Sequence, residues 1–346
     1  MSNLWKMRIV MGTIVMAMLG YLIFLGIDTI AMMRSAQPTV LPPTFAQVVD
    51  REETPVLISN LGEHVAALSS DGTLVTQSGE ELSGYVGGKK EWAMKCGGAE
   101  RMVFSTDGKT LAISNGWRVY TVKFPEREWG GATQECRQNP IIVDLHWVSE
   151  TELVYTRLTG GATRWSATGE KPEKRYALSG GIMSDSSMTK DGRMIAHGSG
   201  RRNPRLYRLD AKEGEKKVEL PGSSEERKEW DVTISPDGKI LAVVENEAKI
   251  IRLLRVDDNF SEAARWSTEG GVRAVAFSAG AKTLATVNRG HTVKLYDLTA
   301  PESPPDTTVV DGVKSLKDGV SLEFGGNILA VYGRKETVLL KLKDKK

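Results

Sequence analysis

The residues of this 346-residue chain best suited to chemistry are four histidines, two cysteines and a scatter of carboxylates. His64, His146, His197 and His291 form no His-x-x-x-His pair and join no Cys/His cluster, so the usual zinc spacings are missing. No serine has glycine two residues before and two after it, which removes the tight turn that exposes a hydrolase nucleophile. The stretch SGYVGGKK (Ser83 to Lys90) is glycine-rich and basic. It lacks both the first glycine of a phosphate loop and the Ser/Thr after the lysine, and it reads as a plain loop. DDNFSE, starting at Asp257, opens like a calcium loop but has neither glycine at its sixth position nor glutamate at its twelfth. The sequence therefore calls for no cofactor and no metal. What remains is a dispersed set: His64, Glu100, Arg101, Asp144, Asp185, Trp230, Asp231 and Arg273. Only a fold that repeats at their spacing can gather them on one surface.

Such a repeat is present. An apolar-x-apolar-Ser-x-Asp-Gly pattern, clearest in TISPDG at Ser235, recurs at Ser69, Ser105, Ser149, Thr189, Ser278 and, degenerately, at Gly325. The gaps are 36, 44, 40, 46, 43 and 47 residues. After each anchor comes a second apolar strand (TLVTQ, TLAIS, ELVYT, MIAHG, ILAVV, TLATV, ILAVY), and after most a third, such as IIRLLRV and TVKLYDL. Asp-Gly suits the tight hairpin, because positive φ is free for glycine and tolerable for aspartate. The eight dispersed residues fall four or five positions before an anchor, at the mouth of a central channel.

Strands at this period with a Ser/Thr-x-Asp-Gly turn resemble the WD-repeat β-propellers. The fourth copy, MTKDGRMIAHGSGRRNPRLYRLD, looks closer to the repeats of TolB-type periplasmic propellers. The resemblance spans residues 54–346 and implies an all-β, seven-bladed propeller. It departs from the family in lacking the Gly-His signature. The terminal Trp-Asp survives only as Tyr296-Asp297, and Trp230-Asp231 lies before the first strand of its blade. The Asp-His-Ser-Trp bonding network of typical WD repeats is accordingly not expected.

Two positions before each anchor, small residues dominate: Ala67, Val103, Ser187, Thr233 and Ala276, with Trp147 and Glu323 breaking the column. An acid at that position is either paired or at the wetter edge of the channel, and the edge is the expectation. The last copy has room for three strands only, while PVLIS (residues 55–59) is an orphan ahead of the first. That strand is expected to complete the last blade and remove an exposed edge. Cys96 and Cys136 lie 40 residues apart, about one repeat. Equivalent points on adjacent blades exceed the ~7 Å Cα reach of a disulfide, so free thiols are expected.

From Ile9 to Ile27 no residue is charged, a run of 19 residues. As a helix this is about 28 Å, close to a ~30 Å bilayer core. Residues 1–34 are expected to be a cytoplasmic tip and a single transmembrane α-helix preceding the propeller, with a Pro-containing linker at 35–53. A cleaved secretory leader is the alternative, disfavoured by the length of the run and by the poor cleavage site in DTIAMMRSAQ. Lys6 and Arg8 before the span, against Arg34 after it, favour a cytoplasmic N-terminus and a propeller in the periplasm or a lumen. Gly12, Ala17, Gly20 and Gly26 would permit close helix packing, and Asp28 could pair with a neighbouring subunit.

Of 46 basic and 44 acidic side chains, three basic and one acidic lie in residues 1–34, leaving 43 of each sign in the remainder. A neutral domain is poorly suited to neutralising phosphates, so nucleic acid is not an expected partner. The expected function is a membrane-anchored, non-catalytic platform for protein partners, held in the bilayer by residues 9–27. The alternative is a propeller enzyme or small-ligand sensor of lactonase or hydrolase type, using the channel acids and His64.

Overall fold

A computed structural model describes residues 56–58, 65–133, 141–168, 173–178, 185–199, 202–211, 217–220, 230–245, 249–268, 270–288, 290, 292–301, 305–309, 320–333 and 335–342. The expected membrane span, its packing residues Gly12, Ala17, Gly20, Gly26 and Asp28, the linker, His64, Cys136 and His291 lie outside them. Among the described residues no helix is long and apolar enough to cross a membrane.

The first described strand is β1 (Val56–Ile58). Blade 1 comprises β2 (Val65–Leu68), β3 (Leu74–Ser78), β4 (Glu81–Val86) and β5 (Lys89–Lys95). Blade 2 holds β6 (Arg101–Phe104), β7 (Thr110–Ser114), β8 (Val119–Lys123) and β9 (Glu128–Ala132). Blade 3 is built from β10 (Ile142–Trp147), β11 (Glu152–Arg157), β12 (Gly161–Ser166) and β13 (Lys174–Ala177). In blade 4 the strands are β14 (Asp185–Met188), β15 (Met194–Ser199), β16 (Arg202–Arg208) and β17 (Lys217–Glu219). Blade 5 has β18 (Trp230–Ile234), β19 (Ile240–Glu245), β20 (Ile250–Arg255) and β21 (Ser261–Ser267). Blade 6 has β22 (Val272–Phe277), β23 (Thr283–Asn288), β24 (Thr292–Asp297) and β25 (Asp306–Val309). The last three strands are β26 (Ser321–Gly325), β27 (Ile328–Tyr332) and β28 (Thr337–Lys341).

These form seven antiparallel four-stranded sheets, and the seventh has the order β1-β28-β27-β26. The orphan strand therefore closes the ring, with Val56 opposite Leu339, Leu57 opposite Val338 and Ile58 opposite Thr337. The inner strands touch in a complete cycle, β2 to β6, β10, β14, β18, β22, β26 and back to β2. Each inner strand runs from the channel mouth down to the Ser-x-Asp-Gly turn. By antiparallel pairing β1 runs the other way, so the chain enters the ring at the turn face.

Burial follows from this stacking. Second strands such as β3, β7, β19 and β27 are buried almost throughout, since a neighbouring blade covers each face. That is why they read as unbroken apolar runs. Outer strands β5 and β9 are largely exposed, and β21 mixes exposed with partly buried residues.

The repeated turn works differently from the sequence expectation. Gly72, Gly108, Gly192 and Gly238 adopt positive φ, and the aspartates do not. Aspartate serves instead as an acceptor. Ser105 Oγ donates to Asp107 Oδ1 at 2.6 Å, Thr189 Oγ1 to Asp191 at 2.6 Å and Ser235 Oγ to Asp237 at 2.7 Å; Ser69 donates likewise to Asp71. Each Oδ1 also accepts a backbone N–H two residues on, from Thr73, Lys109, Arg193 or Lys239. The anchor hydroxyl and the aspartate thus satisfy the turn's inward-facing amides, an Asx-type closure. In blade 6 the same position is Ala281, held at φ 53°. A left-handed alanine carries a Cβ penalty that glycine lacks. Ala281→Gly should raise the unfolding free energy by about 1 kcal/mol, read as a higher urea midpoint at unchanged m-value. A midpoint that stays put or falls would contradict this account of the turn.

The column two residues before the anchor binds blades together. Ser187 Oγ in blade 4 accepts the Ile234 N–H of blade 5 at 2.7 Å. Trp147 Nε1 of blade 3 donates to the Val103 carbonyl of blade 2 at 3.0 Å. Glu323 is not a wet-edge residue as expected: its Oε2 accepts the Leu68 N–H at 2.9 Å and the Tyr332 hydroxyl. Cys96 is a buried free thiol, and burial raises its pKa.

Candidate functional site

Among the described residues, the inner strands bring the expected mouth residues other than His64 to one end of the ring. Arg101 opens β6, with Glu100 just before it; Asp144 lies near the start of β10, and Asp185 opens β14. Trp230 and Asp231 begin β18 opposite Glu245 and Val244. Arg273 is the extra residue where β22 shifts register against β23, between Val272 and Ala274. A matching shift between Ile142 and Asp144 leaves Val143 unpaired with β11. Such bulges re-aim side chains at strand ends.

The structure ties a subset together across blades 2, 3 and 4. Arg101 Nε donates to the Val143 carbonyl at 2.8 Å, and Nη1 donates to the Glu100 carbonyl at 2.9 Å. Asp144 Oδ2 accepts the Ser186 N–H at 3.2 Å and lies 3.2 Å from Ser186 Oγ. His146 Nε2 is 3.4 Å from the same Oδ2 and 3.0 Å from Ser186 Oγ, which is also 3.2 Å from Thr156 Oγ1. Burial alone would push the Asp144 carboxyl up, but the charges of His146 and Arg101, together with bonds from His146 and the Leu145 N–H, hold it below the usual range. Asp144 is therefore an anion at neutral pH.

A Ser, a His and an Asp in mutual contact invite comparison with a nucleophile relay. In such a relay the acid orients one ring nitrogen while the other takes the serine proton. Here the carboxylate and the hydroxyl both meet Nε2, and the carboxylate also binds the hydroxyl directly. The imidazole cannot be oriented from one side and act as base on the other. This arrangement is an interblade polar junction. The sequence reading had singled out Asp144 but not His146 or Ser186. The signal for His146 was available, since alternation along a strand puts residues 144 and 146 on one face. Ser186 comes from a strand 40 residues on, and only packing brings it in.

The structure also adds two residues to the mouth. Trp117 sits on the β7–β8 loop at 51% exposure, and Ile141 just precedes β10 at 45%. They are adjacent because the Ile142 N–H donates to the Gly116 carbonyl at 2.9 Å, one residue from each. The loop is firmly built: Asn115 Oδ1 accepts the Trp117 and Arg118 N–H groups at 3.1 and 2.9 Å. Gly116 takes φ 83°, and a Cβ there would meet the Glu100 carboxylate at 2.7 Å. Two large apolar side chains are thus displayed on rigid backbone beside Glu100 and Arg101. Among the described residues no three His, Cys, Asp or Glu side chains are grouped so as to hold a metal ion.

No protein-family pattern matches the sequence, and no curated protein matches it. Among solved structures 1821 chains match, a fold so widely shared that the match singles out no function. One is a chain of the crystal structure of the mitotic checkpoint complex. It aligns with a TM-score of 0.65 at 11% identity, covering 89% of this chain and 97% of its own. At that identity the likeness is one of fold, and it agrees with the strand order and the closed cycle of contacts: this chain is a seven-bladed β-propeller.

Proposed function

We propose that this chain is a membrane-anchored, non-catalytic β-propeller, an interaction platform within a membrane-associated assembly. Its N-terminus lies in the cytoplasm and its propeller in the periplasm or a lumen. The observation that carries the reading is the mouth rim at blades 2 and 3. Trp117 is half exposed there on a loop pinned by its own hydrogen bonds, and Ile141 is half exposed just before β10, where Ile142 binds that loop. Rigid aromatic and aliphatic anchors of this kind lose little entropy on binding and suit a protein partner. The polar residues beside them, Arg101, Asp144, His146 and Ser186, are engaged in joining blades. The similar propeller in the mitotic checkpoint complex also belongs to a multiprotein assembly, which supports the same use of the fold. The anchor rests on the uncharged run from Ile9 to Ile27.

The test is purification of the full-length protein from its native membranes in mild detergent, with mass spectrometry of what accompanies it. A stoichiometric set of membrane proteins is expected. Trp117→Ala should weaken capture of that set by at least about thirtyfold in affinity, the scale of an interface hot spot, with the melting temperature unchanged. A clean monomer, or turnover of a substrate by the purified protein, would overturn the proposal.

A further inference from the structure

Six of the seven positions two before the turn are neutral (Ala67, Val103, Trp147, Ser187, Thr233 and Ala276), and the seventh is Glu323. At the blade 4–blade 5 junction a neutral hydroxyl, Ser187, accepts the next blade's N–H. At the blade 7–blade 1 junction Glu323 accepts the equivalent N–H, that of Leu68. A carboxyl group is thus not needed for the contact. It stands in the sheet that closes the ring, whose last three strands join β1 by strand pairing alone. We propose that Glu323 is a protonation-controlled clasp: as the neutral acid it holds blade 7 to blade 1, and on ionisation it loosens that seam.

Among the described residues, the strands packed against Glu323 place no cation beside its carboxyl group. Strand β2 carries no ionisable side chain, and β27 carries only Tyr332. On β22 the one charged residue is Arg273, toward the mouth, three residues before Ala276 at the level of Glu323. The apolar neighbours at the seam are Ile58, Leu68, Leu74, Ala330 and Leu339. Burial pushes the Glu323 carboxyl up to about 7, against the bonds from Tyr332 and Leu68 that favour the anion. Burial also lifts the Tyr332 hydroxyl well above its ordinary range, so it stays a donor throughout. The sign follows: the folded pKa lies above the unfolded 4.5, so the native state binds the extra proton. This group's stabilisation is complete below about 4.5 and is lost as pH rises through about 7. The constant for closing that seam should fall on the order of a hundredfold across that window.

Hydrogen exchange of the full-length protein in detergent, corrected for intrinsic rates, tests this between about pH 5 and about pH 8. Protection in β1, β2 and β26 should fall with rising pH, while blade 4 and blade 5 strands stay constant. Glu323→Gln keeps the acceptor and removes the proton, so the seam should become indifferent to pH. An unchanged pH response in that variant overturns the proposal. Infrared titration gives an independent readout without any variant. A protonated-carboxyl band that disappears near neutral pH is expected, and its absence at pH 5 would overturn the clasp.

Discussion

Ile58→Asp is expected to lower the unfolding free energy by about 3–5 kcal/mol, among the largest effects of any single change in the ring. Ile58 is the last residue of β1 and only 5% exposed. It packs with Leu68 and Leu74 of blade 1 and Ala330, Tyr332 and Leu339 of blade 7. A carboxylate there loses its hydration with no cation in the cluster to pair it, the costliest class of core substitution. The site also lies on β1, the strand that joins the start of the described domain to its last blade. Losing β1 would expose the β28 edge, so damage should concentrate in blades 7 and 1. Urea unfolding followed by tryptophan fluorescence gives the free energy, and exchange mass spectrometry gives the location. A loss below about 1 kcal/mol would mean that the ring closes without β1, and the closing role assigned to it would be wrong.

Gly84→Val should cost about 3 kcal/mol, although Gly84 has no left-handed backbone to protect. Gly84 of β4 sits directly opposite Trp92 of β5. A Cβ on it would fall 2.1 to 2.4 Å from Cε2, Nε1 and Cζ2 of that indole. The ring cannot step aside freely. It lies 5.4 Å from the Phe124 ring, which is in turn 5.6 Å from Phe104, and the Arg127 guanidinium sits 5.1 Å above it. Displacing Trp92 therefore disturbs the contact between blade 1 and blade 2. The mechanism predicts non-additivity: in the Trp92→Ala background, Gly84→Val should cost under about 1 kcal/mol. Equal costs in both backgrounds would place the strain elsewhere.

Blade number, strand order and closure were all legible in the sequence, because the turn chemistry recurs in the chain. Ser105, Thr189 and Ser235, each with an aspartate two residues on, fix the register of their blades, and the apolar runs after them identify the doubly covered strands. PVLIS could be assigned by elimination, since an unpaired apolar strand and a three-stranded last blade have one economical solution. The reason for the aspartate was misread: φ belongs to the glycine, and the carboxylate caps amides.

The mouth was legible only as a set of positions. Counting back from each anchor places Glu100, Arg101, Asp144 and Asp231 at one end of the ring, because strand periodicity is local. Which of them touch depends on blade-to-blade offsets that no single repeat encodes. Ser186 thus joins Asp144 and His146 only through packing. Trp117 and Ile141 have the composition of core residues, and their display depends on a loop held by Asn115 and by Ile142. Glu323 shows the same division. Its place in the column follows from sequence, whereas its partly buried seat between Leu68 and Tyr332 follows from closure of the ring. The sequence by itself determined the seven-fold repeat and the uncharged N-terminal run, both short-range patterns of side-chain chemistry. Only the tertiary structure decided which polar groups are spent joining blades and which apolar ones face solvent, since burial is set by neighbours distant in the chain.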